Sequence, residues 1–82
     1  MKIDDKTKEL IAIGASIVAN CQPCLQYHVA RAQRVGVDTE EMADAIEIGK
    51  LVRKGAGIKM DTFAANLTGA VPSADGAKTC CG

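Results

Sequence analysis

A stripe of apolar and small residues runs through the second half of the chain at the spacing of an α-helix. Its members recur every three or four positions, as Met42, Ile46, Gly49, Val52, Ala56, Met60, Phe63 and Leu67. The stripe keeps its phase through Gly55-Ala56-Gly57, so it fits one long helix or two helices divided at the glycines. We expect a break or a kink there. No segment alternates as a β-strand does, and the predicted fold class is therefore all-α.

Two further helices are predicted upstream of this stripe. The first begins after Asp4 or Asp5, both of which suit an N-cap, and runs to about Ala19. The second begins near the first cysteine, where Pro23 suits a first helical position, and it stops at Gly36.

The helix that carries the stripe has a clear start signal. Asp38 can cap it, and Glu41, three residues later, can close a capping box. Three helices are thus predicted, or four if the glycines divide the last one.

The composition limits how these helices can bury their apolar faces. Of the 82 residues, 48% are hydrophobic, yet the chain has one Phe, one Tyr and no Trp. A chain of this length fits one domain with a small core. We therefore expect a compact helical protomer, residues 1–68, that hides its remaining apolar surface in a homo-oligomer. Residues 69–82 are small and polar, and we expect a flexible tail that ends in the vicinal pair Cys80-Cys81.

Charge and hydropathy argue against several kinds of partner. Ten basic residues balance ten acidic ones, which gives no electrostatic case for nucleic acid or an anionic membrane. Residues 10–19 are apolar but too short to span a bilayer, and no segment reads as a signal peptide. We expect a cytoplasmic protein. Four cysteines in a reducing compartment favour catalysis or metal binding over a structural disulfide framework.

The segment NCQPCLQYH, residues 20–28, carries the strongest chemical signature. Cys21 and Cys24 have the spacing of redox dithiols, and free amides at a helix N-terminus stabilise a thiolate. His28 lies one helical turn after Cys24, where an imidazole can take up a thiol proton or return it to a leaving group. The segment therefore combines a nucleophile, a base and a resolving thiol.

Two other interpretations of this segment stay open. Cys-x-x-Cys is also half of many zinc sites, and His28 with Cys80 or Cys81 could complete the ligand set. The cysteines could instead be inert core residues beside an incidental histidine. We favour redox chemistry because His28 is the single histidine of the chain and because no second metal-binding motif is present. We expect this chemistry to use neither a cofactor nor a metal.

Glu9 is the remaining candidate, twelve residues before Cys21. If the first two helices fold back as an antiparallel pair, Glu9 could approach His28 across the pair. A glutamate near the start of a helix is by itself more often a solvated charge.

Taken together, these residues resemble the core of the alkylhydroperoxidase D-like, carboxymuconolactone decarboxylase family. The pattern consists of Glu9, Cys21-Gln22-Pro23-Cys24 and His28, followed by Ala32, Gly36 and the Asp38-x-x-Glu41 helix start. The likeness covers roughly residues 4–68. Its specific part is E-x11-C-x2-C-x3-H, which joins three chemical groups at fixed spacing.

The resemblance implies an all-helical fold that assembles into dimers, trimers or hexamers, and a thiol peroxidase activity. It makes Cys24 the cysteine that attacks peroxide, Cys21 the more exposed resolving cysteine, and His28 with Glu9 a proton relay. The decarboxylase branch of the family generally lacks the cysteine pair, so its lactone chemistry is not implied. Pro23 stands where the better-studied peroxidases carry a histidine.

The leading hypothesis is therefore a thiol-dependent alkyl hydroperoxide reductase. Its partners would be a peroxide substrate and an external dithiol or a thioredoxin-like or lipoyl reductant. One alternative is a general thiol–disulfide oxidoreductase. The other is a non-enzymatic zinc or soft-metal binding protein that uses Cys21, Cys24 and the tail cysteines.

Overall fold

Three α-helices joined by short turns make up the described part of the chain. The computed structural model describes residues 1–69, which form α1 (Asp5–Val18), α2 (Gln22–Arg34) and α3 (Thr39–Thr68). Residues 1–69 contain no strand, so the all-α prediction is confirmed. The tail expected over residues 69–82, with Cys80 and Cys81, lies outside the described residues except for Gly69, the C-cap of α3.

The ends of α1 and α2 follow from local signals in the sequence. Asp4 caps α1, and its Oδ1 accepts a hydrogen bond from the Thr7 amide at 2.8 Å. Cys21 is the N-cap of α2, and Pro23 lies in its first turn, where its missing N–H costs no helical hydrogen bond. After α2, Gly36 adopts a φ of 87°, a conformation that glycine takes at little cost. The predicted stop of α2 is confirmed.

The start of α3 is the predicted capping box. Asp38 Oδ1 accepts hydrogen bonds from the amides of Glu40 at 2.7 Å and Glu41 at 3.1 Å. In return the Asp38 amide donates to Glu41 Oε1 at 3.4 Å. Three amides at the helix start thereby gain an acceptor, and the bonds between Asp38 and Glu41 are reciprocal.

The expected break at Gly55-Ala56-Gly57 is wrong, because α3 continues through these residues to Thr68. A glycine in a helix interior costs about 1 kcal/mol relative to alanine, which weakens a helix without ending it. No proline interrupts residues 39–68, so every residue after the first turn keeps an amide that can continue the hydrogen-bond ladder. Residues 1–69 therefore form three helices and not four.

Helix α1 lies between the other two helices. It runs antiparallel to α2 and parallel to α3, whose Ala45, Gly49 and Arg53 lie beside successively later residues of α1. The core at this junction consists of Ile13, Ala32, Val37, Met42 and Ala45.

A close backbone approach fixes how α1 and α3 cross. A Cβ atom on Gly49 would lie 2.7 Å from Gly14 O and 2.8 Å from Ile17 Cβ. Only a residue without a side chain fits at this distance, which is why Gly49 is buried in the middle of a helix. The crossing places the end of α1 beside Arg53, and the second half of α3 extends beyond it.

None of the helices described between residues 1 and 69 is both long enough and apolar enough to cross a membrane.

Candidate functional site

A tight turn between α1 and α2 positions the first cysteine. Asn20 adopts a φ of 54°, a left-handed conformation that asparagine tolerates better than most residues. Its side-chain Oδ1 accepts a hydrogen bond from Arg53 Nη1 at 2.9 Å, and the same nitrogen donates to Ile17 O at 3.4 Å. The Cys21 amide donates to Ser16 O at 3.1 Å. Helix α3 thus holds the turn that presents Cys21.

The cysteine pair stands at the N-terminus of α2. The structure joins Cys21 and Cys24 in a disulfide, with their Cα atoms 5.2 Å apart. The Cys24 amide donates to Cys21 Sγ at 3.3 Å, so Cys21 caps the helix through its sulfur. A free amide and the positive end of the helix dipole both favour negative charge at that sulfur.

The exposure of the two cysteines differs from what the family resemblance implied. In the single chain Cys24 is exposed and Cys21 is partly buried. The difference arises because Cys21 occupies the N-cap, where the end of α1 flanks it, whereas Cys24 lies in the first turn of α2.

Glu9 and His28 meet between α1 and α2. Glu9 is only 1% exposed, and His28 Nδ1 lies 2.7 Å from its Oε1. The antiparallel arrangement of the two helices brings these residues together across nineteen positions of sequence. Glu9 is therefore not the solvated charge that its position in the sequence alone would favour.

Two cations complete the surroundings of the Glu9 carboxylate. Arg31 Nε donates to Oε2 at 3.3 Å, and Lys8 Nζ lies 3.9 Å from the same oxygen. The hydrogen bond from His28 and, to a smaller extent, the one from Arg31 hold the pKa of Glu9 below its usual value, although burial acts in the opposite direction. Glu9 is accordingly ionised at neutral pH.

The charge of Glu9 fixes the tautomer of His28. An ionised carboxylate can only accept hydrogen bonds, so Nδ1 of His28 must carry the proton that it donates to Oε1. In the neutral ring Nε2 then keeps its lone pair and can act as a base. His28 is partly exposed, which leaves the ring accessible to solvent and to a substrate.

The site consists of two residue pairs, the Cys21–Cys24 disulfide and the Glu9–His28 hydrogen bond, that do not contact each other directly. Cys24 and His28 lie one turn apart on α2, on the same side of the helix. Within residues 1–69 no hydrogen bond joins His28 to either sulfur. Tyr27 packs edge-on against the His28 ring, with 5.0 Å between ring centroids, and helps to fix its orientation.

Sequence reasoning missed Arg31. It lies three residues after His28, so it shares the face of α2 that meets α1. The spacing of three residues could have indicated this role, because a cation one turn from His28 can reach the Glu9 carboxylate that His28 contacts.

A small cleft opens beside Cys21, and Cys24 is not among the residues that line it. Its volume is about 170 Å³, several times that of a water molecule. The cleft is lined by Ser16, Ile17, Asn20, Cys21, Gln22, Leu25 and Arg53. A larger groove of about 600 Å³ lies between α1 and α3, and none of the four candidate site residues lines it.

The metal hypothesis gains no support from the described residues. Among residues 1–69 no group of three His, Cys, Asp or Glu side chains is placed to hold a metal ion. The tail cysteines on which that hypothesis also drew lie outside the described residues.

Comparison with known proteins agrees with the fold. The chain is 37% identical, over 54 residues, to "Uncharacterized protein 4 in cox locus" of Paracoccus denitrificans. The match covers 66% of the chain and 49% of that relative, so the chain spans about half the length of the curated relative it matches. No solved structure matches it. The model of the carboxymuconolactone decarboxylase family matches residues 1–65, from the start of the chain through most of α3, and the chain therefore belongs to that family.

Proposed function

We propose that this chain is a thiol-dependent peroxidase that reduces alkyl hydroperoxides with the Cys21–Cys24 pair. The family to which it belongs includes alkylhydroperoxidase-like members. The observation that carries the proposal is the 2.7 Å contact between the buried Glu9 carboxylate and His28, one turn from Cys24 on the same helix. Two-electron thiol chemistry needs a nucleophilic cysteine, a second cysteine that resolves the oxidised form, and a base near them.

The reaction begins with the reduced pair. The His28 Nε2 atom takes up the Cys24 proton, directly or through one water molecule, and the Cys24 thiolate attacks the O–O bond of the peroxide. A sulfur–oxygen bond forms and the O–O bond breaks. The alkoxide leaves with the proton from His28, and Cys24 becomes a sulfenic acid.

Cys21 then resolves this intermediate. Its thiolate attacks the sulfenic sulfur, the disulfide forms, and water leaves. Two electrons have passed from the dithiol to the peroxide, which becomes an alcohol. An external dithiol, or a thioredoxin-like or lipoyl reductant, returns the pair to the reduced state through thiol exchange.

Glu9 serves the relay without touching the substrate. Its negative charge stabilises the imidazolium that forms when His28 accepts the thiol proton. Its hydrogen bond also orients the ring. We further propose that the working form is a homo-oligomer, because a protomer of this size leaves much of its apolar surface exposed.

The test uses single cysteine variants and a trap for sulfenic acid. When reduced Cys21→Ser is treated with an alkyl hydroperoxide and dimedone, we expect label on Cys24. Reduced Cys24→Ser should stay unlabelled and consume peroxide far more slowly. Label on Cys21 alone would reverse the two roles, and the absence of label on both variants would exclude the peroxidase.

A second candidate function is thiol–disulfide exchange without a preference for peroxide. The observation that favours it is the cap of α2, where the Cys24 amide donates to Cys21 Sγ and stabilises a thiolate at Cys21. Such a thiolate is suited to attack a disulfide in the cleft beside it. Reduction of a small disulfide at a rate that matches or exceeds that with peroxide would favour this function.

A further inference from the structure

The second half of α3 carries an apolar surface that no other part of residues 1–69 covers. Met60, Phe63 and Leu67, which we call the ridge, are 64%, 59% and 71% exposed. They continue, at helical spacing, the face of α3 that buries Ala45 and Gly49 against α1. The ridge lies beyond the end of α1, because Arg53 is already level with Ile17 and Asn20.

The second apolar surface is the groove of about 600 Å³ between α1 and α3. Its floor contains the small residues Gly14, Ala15 and Gly49. Its exposed walls are Ile11 and Val18 from α1 and Ile48 and Val52 from α3. Small residues on the floor and large ones on the walls form a surface that can accept a row of protruding side chains.

The ridge cannot fill the groove of its own chain. The ridge and the α3 wall of the groove belong to the same continuous helix, and Met60 lies about 12 Å along the axis from Val52. Residues 70–82 are a poor occupant, because Val71 is their single large aliphatic residue. The occupant must be a separate molecule with an apolar helical ridge.

We infer that the ridge of one chain packs into the groove of a second copy, and that the exchange is reciprocal. The inference rests on the self-association included in the proposed function and is independent of the thiol chemistry. When two α3 helices lie antiparallel about a two-fold axis near residues 55–57, each ridge faces the groove of its partner. The result is a closed two-fold dimer, in which each ridge and each groove is covered by the partner.

The exposed apolar area of the ridge and the groove walls is large enough for a stable dimer. Seven apolar side chains of the ridge and the groove walls are between 38% and 71% exposed. They offer about 400 Å² of apolar surface per chain. With the polar rim that interfaces usually carry, this corresponds to about 700 Å² per chain, close to the roughly 800 Å² of a standard interface.

The test measures the mass of the full chain by sedimentation, under reducing conditions so that intermolecular disulfides do not contribute. Wild type should have twice the mass of the 8.6 kDa chain. Phe63→Glu on the ridge and Ile48→Lys on the groove should each raise the dissociation constant by about 100-fold or more. Ile58→Glu is the matched control, since Ile58 is also exposed but lies on another side of α3. It should leave the mass unchanged.

Mixing the two variants is the decisive measurement. In an equimolar mixture of Phe63→Glu and Ile48→Lys, one ridge–groove contact of the mixed pair is unaltered and the other brings opposite charges together. The mixture should therefore regain the dimer mass. Circular dichroism should show equal helicity for all variants, and a photo-crosslinker at position 63 of the otherwise wild-type chain should label the groove walls.

Several results would overturn the inference. These are a monomeric wild type, an odd number of chains, dissociation by one of the two variants only, dissociation by Ile58→Glu, or a mixture that stays monomeric. The rate at which peroxide oxidises the Cys21–Cys24 pair, measured on the same samples, reports separately on the proposed function.

Discussion

Glu9 is the residue on which the candidate site depends. Its carboxylate is buried between α1 and α2, and its two oxygens bind His28 and Arg31. A buried carboxylate without such partners would be neutral, and His28 would then have no fixed tautomer. The charge of one side chain thus determines which nitrogen of another can act as a base.

The first prediction concerns the relay. His28→Ala should slow oxidation of the reduced pair by peroxide by about 10²–10⁴-fold, because a positioned general acid–base is typically worth that much. Glu9→Gln should slow it less, since the amide still holds the ring but supplies no charge. Stopped-flow measurement of thiol loss gives both rates. A rate for His28→Ala equal to that of wild type would show that the imidazole has no part in the chemistry.

The second prediction concerns acid stability. The pKa of Glu9 is below its usual value of 4.5, so the ionised carboxylate contributes stability that is fully present above pH 4.5. That contribution is lost as the pH falls through the lower pKa of the folded state. Arg31→Gln removes one stabilising hydrogen bond and should raise the pKa of Glu9 towards 4.5. Its stability should therefore be lower than that of wild type at pH 7, and the difference should shrink in acid.

Urea unfolding between pH 3 and pH 7 measures this dependence. Arg34→Gln is the control, because Arg34 lies on the same helix and is exposed. Equal pH profiles for Arg31→Gln and wild type would show that Arg31 has no influence on the Glu9 charge.

Among the helices, α3 contains glycines with opposite roles. Gly49 is required where α1 crosses, whereas a Cβ atom added at Gly55 or Gly57 would meet nothing within 4 Å. Gly49 belongs to the apolar stripe, whereas Gly55 and Gly57 flank its member Ala56, but the stripe does not show what a side chain at each position would meet. Only the position of α1 shows which glycine is a packing residue.

The third prediction tests this difference. Gly49→Ala should destabilise the protein by about 1–3 kcal/mol, because the added methyl group meets the backbone of α1. Gly57→Ala, in the same helix, should stabilise it by about 0.5–1 kcal/mol, since alanine favours the helix and its Cβ would meet nothing within 4 Å in the described part of the chain. Thermal unfolding of both variants measures these two changes in stability. Destabilisation by Gly57→Ala would contradict the continuous helix.

At the scale of the whole molecule, the second half of α3 stands apart from the other two helices. α3 is about 45 Å long, about twice the length of α1, so its second half has no helix of residues 1–69 beside it. The ridge there and the groove between α1 and α3 are the surfaces through which a second copy would complete the core.

The fourth prediction follows from this coupling of folding and association. The melting temperature of wild type should rise with protein concentration, because dissociation accompanies unfolding. Phe63→Glu should melt at a lower temperature that does not depend on concentration. Calorimetry or circular dichroism over a hundredfold range of concentration measures both. A wild-type melting temperature that is constant over this range would rule out the coupling.

Features that depend on neighbouring residues could be located from the amino-acid sequence. The caps at Asp4 and Asp38, the stop at Gly36 and the Cys-x-x-Cys start of α2 all require partners within a few positions. For that reason no structure was needed to find them. The family pattern likewise joined Glu9 to the histidine through spacing alone.

Features that depend on residues far apart in the chain emerged only when the helices were packed together. Arg31 reaches Glu9 across 22 positions, Gly49 meets Gly14, and Arg53 holds the turn before Cys21. The lower exposure of Cys21 relative to Cys24 and the unbroken course of α3 belong to the same group. The physical reason is that burial, close approach and the charge of a buried group are set by the other helix, and helical periodicity contains no information about which helix that is.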